Sequence, residues 1–272
     1  MEFRTIVDIP APDFRIAPCE SLLFVGSCFA DSIGQHFKDE GFPVVVNPFG
    51  TMYNPASILH TLQRIEWHGC NSRTVFLTLG TNHVYRLKET GEIVDNCQKR
   101  PSALFHEEEL SVDQCADYLR QSITLLLQAN PDVHIVLTVS PIRYRKYGYH
   151  ESQLSKATLL LAIDRLLHQT SDIRHLQYFP AYEIVNDELR DYRFYAADML
   201  HPSDQAVEYI WERLVDAYFS PEAKAYLKEW EPLKQALAHK PFNPDAPEYR
   251  AFMDKTMLKV EEIRKKYPTF AL

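Results

Sequence analysis

A surplus of positive charge is absent from this chain of 272 residues. Lysine and arginine number 29 against 37 aspartate and glutamate, so the formal net charge is −8. Proteins that hold DNA or RNA through its phosphates normally carry a basic surface. The charge balance therefore argues against a nucleic-acid partner, while a hydrophobic content of 46% is typical of a globular protein with a core.

Long apolar runs are absent as well. The segment 1–5 lacks the apolar stretch of a secretory signal, and no later segment has the length and hydrophobicity that a bilayer requires. We therefore expect a cytoplasmic protein that does not associate with a membrane.

Neither paired cysteines nor a complete metal-binding motif occurs. The five cysteines are odd in number and scattered, without a C-x-x-C pair, so free thiols and no structural zinc are predicted. His106 to Glu109 begins like the helical motif of zinc proteases but lacks its second histidine. We expect no metal centre and no organic cofactor.

Glycine is scarce, at eight residues, which makes its positions informative. Gly26, Gly50 and Gly80 each come just after a predicted strand. A residue without a side chain lets the backbone turn sharply or approach another group closely. Either these glycines only form turns, or they clear space for something that binds at the ends of the strands.

Apolar strands alternate with amphipathic helices along the first 220 residues. The predicted strands are 22–26, 42–46, 74–79, 133–139 and 175–179, and the helices between them begin after residues such as Asn54 and Ser111 that cap helices well. This alternation is typical of a three-layer α/β fold with a parallel, flavodoxin-like sheet. A hairpin of 84–87 and 92–95 is predicted beside the main sheet.

Residues 221–272 differ from the rest of the chain. They predict two helices, 222–238 and 248–266, separated by a segment with two prolines. We therefore predict an α/β domain over residues 1–220 and a helical extension over 221–272. The extension is compatible with packing on the domain, with closing its site, or with the interface of a homodimer.

The segment 22–34 places reactive groups where a ligand would bind. Its apolar run ends at Gly26, and Ser27 and Cys28 follow before an amphipathic helix. Ligands of open α/β sheets bind at the carboxyl ends of the strands, where a helix N-terminus favours negative charge. Ser27 is either the N-cap of this helix or a nucleophile. Cys28 is either a packed apolar residue or a thiolate activated by the helix.

The residues Gly26-Ser27-Cys28-Phe29-Ala30 resemble the signature of the GSCFA family, which is similar to the SGNH, or GDSL-type, ester hydrolases. The resemblance extends to about residue 218 and implies the three-layer α/β fold of those hydrolases, with Ser27 as the nucleophile. A G-x-S-x-G pattern is not present, since Val25 stands two residues before Ser27. That difference argues against the ordinary α/β-hydrolase fold.

A second pair of residues follows the last predicted strand. Asp198 and His201 lie three residues apart, so one loop can present an imidazole base together with the carboxylate that orients it. The spacing alone is common, and Asp198 could be a plain helix cap. SGNH hydrolases carry their Asp and His at this place, so the resemblance implies a triad of Ser27 as nucleophile, His201 as base and Asp198 as orienting carboxylate.

The resemblance also implies an oxyanion hole. SGNH enzymes use a backbone N–H at the nucleophile, a glycine after the second strand and an asparagine after the third. Gly50 and Asn82 occupy those places in this chain. Asn47, Asn54 and Asn96 are the alternatives for the side-chain donor.

The loop from Arg143 to His150 is rich in arginine and tyrosine and leaves the end of a strand. It is either a solvated surface or an element that recognises an anionic or sugar-like substrate. With the resemblance, these features predict a serine-dependent ester hydrolase acting on a small molecule or an acylated carbohydrate. The alternatives are an O-acyltransferase with the same triad and a non-catalytic module that binds an anion at Gly26.

Overall fold

A five-stranded parallel sheet forms the centre of the protein. The computed structural model describes residues 4–67, 72–95, 97, 100–169, 175–243 and 245–272. Eight strands are numbered along the described chain, and those of the central sheet are β1 (Leu22–Gly26), β2 (Val44–Val46), β3 (Thr74–Leu79), β7 (His134–Val139) and β8 (Leu176–Tyr178). They lie in the order β2-β1-β3-β7-β8, all parallel. Counted along the chain, this is the flavodoxin-like order, so the predicted fold class is confirmed.

Helices cover both faces of the sheet because its strands alternate their apolar side chains between the two faces. The helices before the C-terminal region are α1 (Cys28–Asp39), α2 (Pro55–Arg64), α3 (Val112–Ala129), α4 (Tyr149–Gln169), α5 (Ala181–Glu183) and α6 (Asp204–Tyr218). Leu22 and Phe24 pack with the layer of α1, α5 and α6. Leu23 and Val25 pack with the layer of α2, α3 and α4.

Helices α1 and α6 lie side by side and run in the same direction. His36 of α1 stacks on Trp211 of α6, with ring centroids 5.5 Å apart. Both helices end at the amino edge of the sheet, where Phe219 packs against Phe42, with 5.6 Å between the ring centroids. Their N-termini therefore lie at the opposite, carboxyl edge, on the same face of the sheet.

A second, antiparallel sheet lies beyond β3. It consists of β4 (His83–Leu87), β5 (Ile93–Val94) and β6 (Phe105–Glu109) in the order β5-β4-β6. Tyr85 pairs with Val94 in the hairpin that the sequence predicts. The sequence did not predict β6, because three successive glutamates interrupt the alternation of apolar and polar residues that marks a strand.

Two helices complete the chain, α7 (Pro221–Ala238) and α8 (Pro247–Lys266), at nearly the predicted positions. The Tyr226 hydroxyl donates to the Glu40 carbonyl at 2.5 Å, and Trp230 Nε1 donates to the Asp39 carbonyl at 3.1 Å. These helices therefore close over the last turn of α1 and share its core. A division into two domains at residue 220 stays a prediction. No helix among the described residues combines the length and apolar character that crossing a membrane demands.

Candidate active site

The turn after β1 is built around a close approach of two strand ends. Gly26 has φ of +145°, and a Cβ at this position would overlap the Thr78 carbonyl oxygen at the end of β3. The Ser27 amide donates to the same carbonyl at 3.0 Å. Only glycine combines this backbone conformation with this contact, so the turn that carries Ser27 and Cys28 is fixed at the carboxyl edge of the sheet.

Ser27 is the N-cap of α1. Its hydroxyl accepts a hydrogen bond from the Phe29 amide at 3.3 Å and shares another with Thr78 Oγ1 at 3.1 Å. The residue is only 1% exposed. Ser27 therefore has the first of the two roles that the sequence allowed, that of a helix cap, because its oxygen accepts a hydrogen bond from an N–H group at the helix end.

Cys28 follows as the first residue of α1 and is half-buried. Its Sγ lies 3.3 Å from the hydroxyl of Tyr53, and the two groups share a hydrogen bond. The Tyr53 carbonyl in turn accepts from the amides of Gly80 and Thr81, both at 2.8 Å. These bonds hold the tyrosine over the end of β3, beside the thiol.

Asp198 and His201 are brought together as predicted. One carboxylate oxygen of Asp198 lies 2.6 Å from His201 Nδ1, and the other accepts from the amides of Leu200 and His201 at 2.9 and 3.0 Å. These hydrogen bonds lower the pKa of Asp198 to about 2, so the carboxylate is ionised at neutral pH. The imidazole is 45% exposed, so its other nitrogen, Nε2, is open to a substrate.

Arg143 holds the loop that carries this pair. Its amide donates to the Leu200 carbonyl at 3.0 Å, and its guanidinium donates to the Met199 carbonyl at 3.1 Å. The guanidinium also lies over the ring of Tyr149, 4.1 Å from the centroid. From the sequence, this residue could only be assigned to a polar loop. Neither its type nor its spacing indicates which backbone carbonyls its side chain contacts. Met199 has φ of +59°, so the loop is held in a conformation that an L-residue rarely adopts.

The two halves of the predicted site lie at one edge of the sheet. Ser27 and Cys28 begin α1, and His201 lies three residues before α6, which starts on the same face. Among the described residues, the Ser27 hydroxyl contacts Thr78 and Phe29, and the His201 ring contacts Asp198. A hydrogen bond between Ser27 and His201 is not part of this geometry.

The predicted oxyanion donors are engaged elsewhere. The Gly50 amide donates to the Asn47 carbonyl at 2.8 Å, inside its own turn. The Asn82 side chain is 2% exposed and donates to the Leu110 carbonyl at 2.9 Å. Asn54 caps α2 through Ser57, and Asn96 lies outside the described residues.

Two other amides are available as donors at this edge. Within the described residues, the amides of Cys28 and Thr51 have no hydrogen-bond acceptor. Thr51 lies next to the turn, because the following residue, Met52, donates its amide to the Gly26 carbonyl at 2.8 Å. Sequence reasoning missed both amides, since a free backbone N–H leaves no trace in side-chain identity.

Asn47 ties the second strand to the turn. This buried residue accepts from the Gly26 amide at 2.8 Å through its side-chain oxygen, and its side-chain nitrogen donates to Asp31 of α1 at 2.8 Å. Its backbone has φ of +42°, a conformation that asparagine tolerates better than most residues. Asn47 was one of the alternatives for the side-chain donor of the oxyanion hole, but its side-chain nitrogen already donates to Asp31, so its role here is structural.

Replacing Asn47 by alanine is expected to lower the free energy of unfolding by about 2 kcal/mol, because the Gly26 amide is left buried without an acceptor. Urea-induced unfolding measures the change. Asn47→Gly is the matched control, since glycine accepts the positive φ but cannot make the hydrogen bonds. An unfolding midpoint of Asn47→Ala equal to that of the unsubstituted protein would show that the hydrogen bonds of the Asn47 side chain do not stabilise the fold.

A cavity of about 260 Å³ adjoins the loop of Asp198 and His201. Its lining is polar and aromatic and includes Arg143, Asn186, Arg190, Tyr192 and Tyr195. The described residues contain no group of three or more His, Cys, Asp or Glu side chains placed to hold a metal ion. The groups that this edge presents include a thiol, a hydroxyl, an imidazole and backbone amides.

The fold is that of the SGNH, or GDSL-type, class of α/β proteins. The family model for the GSCFA family matches residues 21–70 and 68–214, and the model for the GSCFA domain protein, C-terminal domain, matches residues 230–272. The chain belongs to the GSCFA family.

The chain is also similar to solved structures, at low sequence identity. A proposed GDSL-like lipase from Parabacteroides merdae is 11% identical over 76% of this chain and 98% of its own, with a TM-score of 0.51. A GDSL-like lipase from Bacteroides thetaiotaomicron is 14% identical over 77% and 89%, with a TM-score of 0.47. A family 3 carbohydrate esterase from Talaromyces cellulolyticus is 12% identical over 77% and 99%, with a TM-score of 0.45. No curated protein sequence matches the chain.

Proposed function

We propose that the protein hydrolyses acyl esters by covalent catalysis, with His201 as general base and Asp198 as the carboxylate that orients it. The observation that carries the proposal is the 2.6 Å contact between Asp198 and His201 Nδ1, with the imidazole half exposed. This contact leaves Nε2 free for proton transfer and fixes the tautomer that can accept a proton there. Of the two side chains in the turn that can attack, the sequence favours Ser27, and Cys28 is the neighbouring alternative.

The first half of the reaction transfers the acyl group to the protein. His201 removes the proton of the attacking side chain, whose heteroatom forms a bond to the ester carbonyl carbon. The carbonyl oxygen then carries the negative charge, and the amides of Cys28 and Thr51 are free donors near the turn that could stabilise it. When the tetrahedral intermediate collapses, the alcohol leaves with the proton that His201 returns.

The second half releases the acyl group. His201 removes a proton from water, and the resulting hydroxide attacks the acyl carbon. The bond to the protein breaks, the nucleophile regains its proton from His201, and the carboxylic acid leaves. The balance is one ester and one water consumed, and one acid and one alcohol formed.

An acylated carbohydrate is the substrate class that the surroundings favour. The cavity beside the Asp198–His201 loop combines two arginines, an asparagine and two tyrosines. Aromatic faces beside hydrogen-bonding groups suit a ligand that is apolar on one side and rich in hydroxyls on the other. The same surroundings would hold a sugar hydroxyl as the acyl acceptor in place of water, so O-acyl transfer is the second candidate.

The proposal is tested by trapping the acyl group on the protein. Incubation with 4-nitrophenyl acetate, followed by an acid quench and mass spectrometry, is expected to show one added acetyl group on the peptide that contains Ser27 and Cys28. Adding a sugar alcohol to the same reaction and analysing the products distinguishes hydrolysis from transfer. If the protein neither releases nitrophenol faster than His201→Ala nor gains an acetyl group, the turn only binds an anion and the proposal fails.

A further inference from the structure

We infer that the nucleophile of this site is the thiol of Cys28 and that Ser27 is the structural cap of α1. The inference rests on the proposed function and changes its chemistry, because the acyl intermediate becomes a thioester. It is carried by the different hydrogen bonding and exposure of two adjacent side chains.

The Ser27 hydroxyl is already occupied. It caps the Phe29 amide, shares a hydrogen bond with Thr78, and belongs to a residue that is 1% exposed. Attack on a carbonyl carbon would require this oxygen to leave both partners and to become accessible to a substrate. A buried polar group in such a network contributes to stability, and releasing it costs free energy.

Cys28 lies one position further along, where the helix begins. The residue is half-buried, and the single hydrogen-bond partner of its thiol among the described residues is the Tyr53 hydroxyl at 3.3 Å. A thiolate at a helix N-terminus is stabilised by the free N–H groups and the partial positive charge there. Burial, followed by the hydrogen bond to Cys28, raises the pKa of Tyr53, so the phenol keeps its proton at neutral pH and can donate it to the thiolate.

The backbone amides distinguish the two candidates independently. An oxyanion hole commonly includes an amide at the nucleophile, which must be free to donate when the carbonyl oxygen gains charge. The Ser27 amide donates to the Thr78 carbonyl at 3.0 Å, whereas the Cys28 amide has no acceptor within the described part of the chain. An intermediate on Cys28 would therefore have an available donor on its own residue.

The helix that Cys28 begins packs against the helix that His201 precedes. Residues four and eight positions apart form one ridge along a helix, so Cys28 and His36 belong to the same ridge of α1. His36 contacts α6 through Trp211, with ring centroids 5.5 Å apart. Two turns closer to the helix N-terminus, the same ridge leads to Cys28, and His201 lies just before the N-terminus of α6.

The chemical step is balanced with the groups present. His201 takes the proton of the Cys28 thiol, the sulfur forms a bond to the acyl carbon, and the bond to the alcohol oxygen breaks as His201 returns the proton to it. Water, deprotonated by His201, then attacks the thioester. The carbon–sulfur bond breaks, and the thiol is restored as the acid leaves.

The first experiment uses the chemistry of the acyl bond. After incubation with 4-nitrophenyl acetate and an acid quench, neutral hydroxylamine is expected to remove the acetyl group within minutes, as it does for thioesters. An adduct that resists neutral hydroxylamine is an oxygen ester, which would assign the attack to Ser27 and overturn the inference while leaving the proposed function intact.

The second experiment compares variants. Cys28→Ala is expected to lower kcat/KM for 4-nitrophenyl acetate by at least about 100-fold. Ser27→Ala is expected to lower it by less than about 10-fold and to cost about 1 kcal/mol of stability through the lost cap. Cys97→Ser, which changes a half-buried thiol elsewhere in the chain, is the matched control and should behave as the unsubstituted protein.

The outcomes separate the two proposals. Turnover that survives in Cys28→Ala and vanishes in folded Ser27→Ala would overturn the inference alone. Loss in both variants is decided by the hydroxylamine result with the unsubstituted protein, where a labile adduct supports Cys28 and a stable one refutes it. Absence of both turnover and adduct in the unsubstituted protein would refute the proposed function, and the inference with it.

Discussion

Replacing His201 by alanine is expected to lower kcat/KM for 4-nitrophenyl acetate by about 10² to 10⁴-fold, the range that a positioned general base contributes. The imidazole of His201 is held by Asp198 at 2.6 Å, is 45% exposed, and can accept a proton at its other nitrogen, Nε2. The fold should survive, because the side chain is 45% exposed and its removal leaves no buried cavity. Initial rates of nitrophenol release across pH 5 to 9 measure the effect.

A matched control for this variant is available on α4. His168 lies beside Asp164, with 3.4 Å between Nδ1 and the carboxylate, and is exposed on the helix surface. His168→Ala removes the same chemical pair from a place without a nucleophile, so its turnover should equal that of the unsubstituted protein. A His201→Ala variant as active as His168→Ala would contradict the proposed mechanism.

The charge of Asp198 adds a pH criterion. Hydrogen bonds from the Leu200 and His201 amides hold the pKa of this carboxylate at about 2, so it stays ionised throughout the range in which the protein would be assayed. Titration of Asp198 should therefore not appear as an acid limb in the rate profile between pH 4 and 9. Asp198→Asn is expected to reduce turnover at every pH in that range, because the amide cannot stabilise the imidazolium as a carboxylate does.

Much of the fold was predictable because its signals are local. β3 has its predicted bounds, and Asn54 and Ser111 cap their helices as predicted. Buried parallel strands are continuous apolar runs, and helix caps follow from the hydrogen-bonding needs of the first turn. β6 was missed because its pairing with β4, rather than its own composition, makes it a strand.

The candidate site was only partly predictable, for a physical reason. The Asp198–His201 contact lies within one loop, so three residues of spacing were enough to suggest it. The sequence could not decide between cap and nucleophile for Ser27, because both roles require a hydroxyl before a helix. The structure shows that Ser27 caps the helix, because the residue is buried and its hydroxyl is hydrogen-bonded to Thr78, which is distant in the sequence.

The most unusual contact at this edge was also invisible in the sequence. Lys156 of α4 is 2% exposed, and its ammonium donates to the Gly80 and Ser140 carbonyls, both at 2.7 Å. These carbonyls end β3 and β7, so the side chain joins two strand ends next to the turn of Ser27. Burial lowers the pKa of Lys156 to about 7, and no carboxylate among the described residues offsets this shift.

This buried lysine predicts a rise in stability with pH. In the unfolded chain the lysine has its ordinary pKa of about 10.4, so between pH 7 and 10 the unfolded state binds more protons than the native state. Raising the pH through that window therefore favours the native state by about 1.4 kcal/mol per pH unit. Below pH 7 the lysine is charged in both the native and the unfolded state, so the free energy of unfolding no longer changes with pH on its account. In that range the native state is destabilised by the full cost of burying the charge.

Lys156→Met is expected to remove this slope. Between pH 7.5 and 9.5, the free energy of unfolding of the unsubstituted protein should rise relative to that of Lys156→Met by about 2 to 3 kcal/mol, as urea-induced unfolding would measure. The difference must be compared, because burial raises the pKa of Cys19 to about 11 and of Cys115 to about 12, and such thiols act in the opposite sense as the pH rises. These thiols are present in both proteins and cancel.

The two carbonyls that Lys156→Met leaves without a donor lower its stability by an amount that does not depend on pH, so they shift the curve without changing its slope. Lys228→Met, at an exposed position of α7, is the control and should keep the slope of the unsubstituted protein. Equal slopes in the unsubstituted protein and Lys156→Met would mean that the ammonium keeps its charge at pH 9.5. In that case the hydrogen bonds to the ends of β3 and β7 would outweigh the cost of burial, and the lysine would stabilise this edge of the sheet as a permanent cation.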